Sequence, residues 1–180
     1  MSRITIPAWV ERYRPRYLKY PRNGRRFVTP KKKEAMRDAR AIIMRLRRTS
    51  RGMMSEEQTT YMLAVLRAIC PFIFEELLLH CLEDLGFGVK RSRYTFDGGI
   101  DGIVWDDDER KILLQAKRYS GEINPQHVLD FSDVICQDEE AVGGLLIHTG
   151  ITCIRSQELR EHFSHLDIVE GCGLRELVIQ

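Results

Sequence analysis

No stretch of about 18 uninterrupted apolar residues, the length a membrane-crossing helix needs, occurs in this 180-residue sequence. Its most apolar segment, 61–79, is broken by Arg67, Pro71, Glu75 and Glu76, so no membrane partner is expected. The first residues hold no apolar block ahead of a small-residue cleavage site, which argues against secretion. Five cysteines, Cys70, Cys81, Cys136, Cys153 and Cys172, are odd in number and form no Cys-x-x-Cys pair. Reduced thiols in a cytoplasmic setting are the expectation. Internal repeats and low-complexity segments are missing too. Gly143-Gly144 is too short to cradle a phosphate, and His80, His127 and His148 sit in no pattern with Asn or Ser that would mark an HNH nuclease or a hydrolase triad.

What is present is charge, unevenly distributed. Residues 1–51 carry seventeen Lys and Arg against only Glu11, Glu34 and Asp38, a net of +14, and the chain total of +2 therefore leaves −12 for residues 52–180. A basic arm on an acidic domain suggests attraction of a polyanion by one half and metal-assisted handling of it by the other. Mutual neutralisation by packing is the plainer alternative. Residues 1–30 hold four of the six prolines and read as a loose or extended arm. Trp9, Tyr13, Tyr17 and Tyr20 within it could stack on bases or simply anchor the arm.

Thr29-Pro30 reads as a cap followed by proline at the first helical position, which predicts a helix to about residue 48. Met36, Ala39, Ile42, Ile43 and Leu46 form its apolar stripe, and Arg37, Arg40, Arg45, Arg47 and Arg48 take the rest of the circumference. Those arginines are the candidate DNA-binding set, with a solvated charged face as the alternative. Ser55 with Gln58 suggests a capping box opening a second helix through about 69, and Pro71 restarts the chain into a third that ends at Gly86. Glu75 and Glu76 fall in its first turns, where the helix dipole alone would favour them.

Strands are predicted over 89–95, 100–105 and 111–119, then a helix from Asn124-Pro125 to about 136. A strand over 144–148, a helix over 156–163, a strand over 166–169 and a last helical turn over 174–178 follow. The order describes an α/β sandwich with a mixed sheet flanked by helices: an antiparallel meander, then a helical crossover. Residues 1–70 would be a basic helical appendage with a DNA-binding role and 71–180 the main domain.

If the hairpin turn centres on Asp108, residues whose numbers sum to 216 face one another, which sets Asp101 opposite Gln115. Opposed side chains stand about 4.5 to 5.5 Å apart at Cβ, and Lys117 shares the face of Gln115 at a diagonal of about 7 to 8 Å. Ala116 points the other way, its backbone carbonyl near the same place. Carboxylate, amide oxygen and carbonyl suit a hard Mg²⁺ ion, and a lysine beside them can organise a water and offset charge on a phosphate. A buried Asp101–Lys117 ion pair is the competing reading. Two other groupings fail as metal sites: residues 97–108 have a calcium-loop outline but Gly99 at the third ligand position, and His162, His165 and Cys172 lack a fourth zinc ligand.

The run Phe74-Glu75-Glu76-Leu77-Leu78, then Leu85-Gly86-Phe87, Asp97-Gly98-Gly99-Ile100-Asp101 and Leu114-Gln115-Ala116-Lys117-Arg118-Tyr119 resembles the Mrr-type restriction endonuclease domain of the PD-(D/E)xK nuclease superfamily. The resemblance covers residues 71–179 and extends to Leu145-Leu146-Ile147-His148-Thr149-Gly150 and Ile168-Val169-Glu170-Gly171. It implies a restriction-endonuclease-like fold, Mg²⁺-dependent (or Mn²⁺-dependent) hydrolysis of DNA, and Glu75, Asp101, Gln115 and Lys117 as the catalytic set. Metal would be held by Asp101, Gln115, Ala116 and Glu75, with Glu75 preferred to Glu76. DNA is the expected partner, and a homodimer is expected where both strands are cut. A noncatalytic DNA-binding or accessory module on the same fold, and a repair or junction-resolving nuclease, are the alternatives.

Overall fold

The structure is a computed structural model and describes residues 6–19, 25–27, 29–91 and 99–180. A 3₁₀ helix at Ala8–Tyr13 opens it, followed by two short antiparallel strands, β1 (Tyr17–Lys19) and β2 (Arg25–Phe27). Where it is described, the loose or extended arm expected of the prolines holds a 3₁₀ helix and two extended strands. Val10 and Tyr13 are buried, and the Tyr13 carbonyl accepts the Cys70 N–H at 2.7 Å. Trp9 and Tyr13 are anchors here; Tyr20 lies outside the described residues.

Three helices come next, α1 (Lys32–Thr49), α2 (Ser55–Ala68) and α3 (Pro71–Asp84). The first starts two residues later than Thr29-Pro30 suggested, with Lys31 at its cap and no side chain bonding there. Ser55 is the first helical residue of α2 instead of its cap; Glu57 closes the end by accepting the Met54 N–H at 3.2 Å. Pro71 stands at the first turn of α3, where its missing N–H costs nothing. At the other end Gly86 takes φ +97, the Gly86 N–H reaches the Glu83 carbonyl and the Phe87 N–H the Leu82 carbonyl. This is the Schellman arrangement, which needs a left-handed residue and so selects glycine. Nine of the fourteen α3 residues are buried, as befits a helix apolar on most of its circumference and packed between α1 and the sheet.

Five strands make the main sheet, in chain order across it: β3 (Gly88–Arg91), β4 (Gly102–Trp105), β5 (Lys111–Lys117), β6 (Ala141–His148) and β7 (Leu166–Val169). The first three pair antiparallel and the last two parallel to β5, which is the expected meander and crossover. Part of the strand expected over 89–95 lies outside the described residues, β4 begins two residues later than expected, and β6 three residues earlier. Helix α4 (Pro125–Gln137) is capped by Asn124, whose Oδ1 accepts the Gln126 N–H at 3.0 Å. Helices α5 (Ile154–His162) and α6 (Gly171–Val178) complete the chain.

Side-chain alternation along β5 divides the core. Leu114 joins a cluster with α1, α2, α3 and α6, with Ile112 and Ala116 packed against it; Leu113 joins another, with Phe131 and Ile135 of α4. Helices thus cover both faces, and α1 and α2 belong to the same packed layer as α3. Among the described residues no helix is long and apolar enough to cross a membrane.

Candidate active site

The carboxyl ends of β3, β5, β6 and β7 and the amino end of β4 share one edge of the sheet, as their pairing directions require. The β4–β5 register is Gly102↔Leu114, Ile103↔Leu113, Val104↔Ile112 and Trp105↔Lys111, each pair summing to 216 as the hairpin arithmetic required. Asp101 is the residue just before β4. Its N–H donates to the Leu114 carbonyl at 2.8 Å, and its carboxylate turns to accept the Ala116 N–H at 2.7 Å. The acid is held by the strand that carries Lys117, at the point where the pairing runs out. Lys117 is the last residue of β5, and its charge acts on Asp101.

Glu75 reaches the same place from the second turn of α3, close enough for the charges of Asp101, Lys117 and Arg118 all to act on it. Burial, then the neighbouring negative charges of Asp101 and Glu76, lift its carboxyl to about 8, against the opposing pull of Arg118 and Lys117. Burial raises Asp101 to about 6 despite the Ala116 N–H and Lys117. Glu76 is placed differently. It is 2% exposed and accepts a hydrogen bond from Arg91 Nε at 2.7 Å, a neutralised pair inside the fold. Gln115, 6% exposed, donates its amide N–H to the Gly99 carbonyl at 2.8 Å, which orients the amide with its oxygen on the other arm. Ala116 packs toward the α1–α3 layer, as alternation predicts. Asp97 and Gly98 lie outside the described residues.

The basic residues of α1 do not act as one face. Arg37, Arg40 and Arg48 are exposed, Arg37 beside Asp38. Arg45 stacks over the Trp9 ring at 4.9 Å. Arg47, expected on the outer circumference, turns inward: it donates to Asp84 Oδ2 at 2.9 Å and to the Val178 carbonyl at 3.0 Å, tying α1 to α3 and α6. Nothing in its sequence position distinguished it from its neighbours, because both partners are far along the chain.

Sequence reasoning assigned no role of their own to the residues around the strand ends. Arg118 donates to the carbonyls of Arg67 and Ile69. Arg67 donates to the Thr149 carbonyl at 2.9 Å. His148, 0% exposed and paired in register with Lys117, accepts the Gly150 N–H and meets Thr152 Oγ1, and burial lowers its pKa. Tyr119 bonds His127. Alternation along β5 was the one available signal, since it sends Arg118 to the face opposite Lys117.

A mixed sheet covered on both faces, with acid and lysine at one edge beside a helical glutamate, defines a restriction-endonuclease-like fold. A family model for the Mrr_cat restriction endonuclease domain matches residues 66–178, and the chain belongs to that family. Among solved structures it is similar to the MspJI restriction endonuclease in complex with a 27-mer oligonucleotide, at 18% identity and TM-score 0.44, over 87% of this chain and 36% of that one. It is similar also to the DNA modification-dependent restriction endonuclease AspBHI, at 18% identity and TM-score 0.44, over 88% of this chain and 42% of that one. The chain thus spans well under half the length of either structure. No curated protein matches it.

Proposed function

We propose that the chain is a Mg²⁺-dependent DNA endonuclease, with Mn²⁺ as a substitute ion, and that Glu75, Asp101, Gln115 and Lys117 carry the reaction. One observation supports this above the others: two buried carboxylates, Glu75 and Asp101, stand beside a lysine at an edge of the sheet, and the Asp101 charge adds to burial in raising the proton affinity of Glu75. Such a pair is electrostatically frustrated without a cation, and carboxylates with an amide and a carbonyl oxygen are the donors a hard divalent ion takes. Among the described residues no three of His, Cys, Asp and Glu are grouped so as to hold a metal ion, and in this reading neutral oxygens complete the set. Asp101 and Glu75 would hold the ion with the Gln115 amide oxygen and the Ala116 carbonyl. Bound there, a divalent ion supplies Lewis-acid polarisation of a phosphate oxygen and a more acidic water.

The chain's own residues do the rest. The Ala116 N–H fixes the Asp101 carboxylate, and the Gly99 carbonyl fixes the Gln115 amide, so neither reorganises when substrate arrives. Lys117 sets a positive charge against the phosphate that gains negative charge as water adds to phosphorus and an ester oxygen leaves. Arg37, Arg40, Arg45, Arg47 and Arg48 were expected to grip the DNA backbone; the exposed Arg37, Arg40 and Arg48 suit that role, while Arg45 and Arg47 serve the fold. Double-strand cutting would call for a homodimer.

The decisive test is nicking of supercoiled plasmid with Mg²⁺ or Mn²⁺ by the wild type, Asp101→Ala and Lys117→Ala. Metal-dependent nicking lost in both variants by at least about a hundredfold is expected. DNA binding without nicking would instead identify a noncatalytic module on this fold.

A further inference from the structure

We propose that Arg67 and Arg118 are positioning residues that lock the strand end bearing Lys117 to the helix junction bearing Glu75. The proposal rests on the nuclease reading of those two residues, and its geometry is a closed ring of hydrogen bonds. Arg118 Nη1 donates to the Arg67 carbonyl at 3.0 Å and to the Ile69 carbonyl. Arg67 Nε donates to the Thr149 carbonyl at 2.9 Å, and its Nη2 reaches the same oxygen. The Thr149 N–H donates to the Lys117 carbonyl at 3.2 Å, and its Oγ1 donates to the Tyr119 carbonyl at 2.9 Å while accepting the Tyr119 N–H at 3.0 Å. The chain from 117 to 119 then returns to Arg118.

Each contact answers a local need. Carbonyls in the last turn of α2 and at its cap have no intrahelical partner, and Arg118 Nη1, with two N–H bonds, serves two of them. Only Cys70 separates Ile69 from the proline that starts α3, and Glu75 lies four residues into that rigid helix. Whatever holds the Arg67 and Ile69 carbonyls therefore sets where Glu75 projects. On the other side, Lys117 ends the β5–β6 ladder opposite His148, and Thr149 continues the grip beyond it by holding the backbone of Tyr119. The Arg118 charge also acts directly on Glu75. Two helix-capping arginines of purely structural use would not need to close on each other through the strand that carries the lysine.

The test uses the full chain with Arg67→Met, Arg118→Met, the double variant and Arg118→Lys. Plasmid nicking with Mn²⁺ gives kcat and KM, melting gives Tm, and amide exchange is followed at Tyr119 and Thr149. Each Met variant is expected to lower kcat about tenfold or more with KM for DNA little changed, because misplacing reacting groups harms the reaction and leaves binding intact. The double variant should be no worse than the weaker single, since a ring is broken once. Arg118→Lys, keeping the charge and one donor nitrogen, should recover part of kcat. Exchange at Tyr119, the next residue along the chain, and at Thr149, across the ring, should quicken about tenfold in Arg118→Met, while Val104 stays protected. A lower Tm with unchanged kcat, or independent multiplying losses in the double variant, would overturn the proposal. Should the wild type cut no DNA, the nuclease reading fails by itself; unaltered exchange at Tyr119 and Thr149 in Arg118→Met then still refutes the coupling.

Discussion

At the residue scale the most telling group is Glu75, whose proton affinity differs between the folded and unfolded chain. In the metal-free fold its carboxyl sits near 8, against 4.5 as the ordinary value, chiefly through burial and then through Asp101. Below about pH 4.5 both states hold the proton and nothing is lost. As pH rises from there to about 8, the unfolded chain ionises freely while the folded one resists, so stability falls across that window and levels beyond it. The total is on the order of a few kcal/mol. Glu75→Gln, neutral at every pH, should therefore melt progressively above the wild type as pH is raised from 4.5 to 8, the gap reaching several degrees. Added Mg²⁺ should close the gap from the wild-type side. Parallel melting curves at pH 5 and pH 8 would show instead that Glu75 is solvated. The same residue shows what spelling conveys and what it does not. The Phe-Glu-Glu run offered two acids, and the choice between them became physical only when Arg91, fifteen positions away, was found paired with Glu76.

At the scale of elements, the site depends on how closely α3 lies on β4. Gly102 is the contact: a Cβ there would come within 2.5 Å of Leu79 Cδ2, and Leu79 is 1% exposed. Gly102→Ala must push the helix and strand apart or force Leu79 from its rotamer, at about 1–3 kcal/mol. Since Gly102 follows Asp101 and Leu79 is one turn beyond Glu75, the displacement should separate the two carboxylates and weaken Mn²⁺ binding measured calorimetrically. Gly88→Ala is the control on the same sheet, because its Cβ would meet only ordinary contact with Trp105 and should change stability by less than about 0.5 kcal/mol. Unchanged Mn²⁺ affinity in a destabilised Gly102→Ala would separate the packing from the site. Hairpin register was legible in advance because a short turn and strict alternation fix it to the residue. Helix starts were less so: Thr29-Pro30 and Ser55 spell caps, yet α1 begins with Lys31 as its cap and α2 with Met54, whose N–H Glu57 accepts, while Asn124-Pro125 kept its cap. The contacts of Arg67 and Arg118 were not legible because a bond spanning 51 to 82 residues leaves no local trace.

For the whole molecule, the strongest sequence signal was the charge asymmetry, and its meaning changes because Val10, Tyr13 and the apolar stripe of α1 are part of the core. Ala39, Ile42 and Leu46 of α1 are each 0% exposed and pack in the cluster that contains Phe74 and Leu77 of α3. Removing residues 1–51 would strip that layer from the helix carrying Glu75, so a truncated chain should lose its cooperative melting, and its failure to bind DNA would say nothing about charge. Charge has to be tested with α1 in place. Arg37, Arg40 and Arg48 are exposed on α1, whereas Arg45 is stacked on Trp9 and Arg47 is bound to Asp84 and Val178. Replacing the first three with Gln keeps polarity and helix propensity while removing the charge, and should shift Tm by no more than a degree or two. Each phosphate contact contributes about 0.9 to the slope of log affinity against log salt, so the triple variant should bind DNA with a slope shallower by about 2 to 3. Arg47→Gln should do the opposite, lowering Tm with the salt slope intact, because it removes a tie between α1, α3 and α6 and no phosphate contact. Equal slopes in the triple variant and the wild type would mean that the basic residues of α1 neutralise the acidic remainder of the chain, and that DNA is gripped elsewhere.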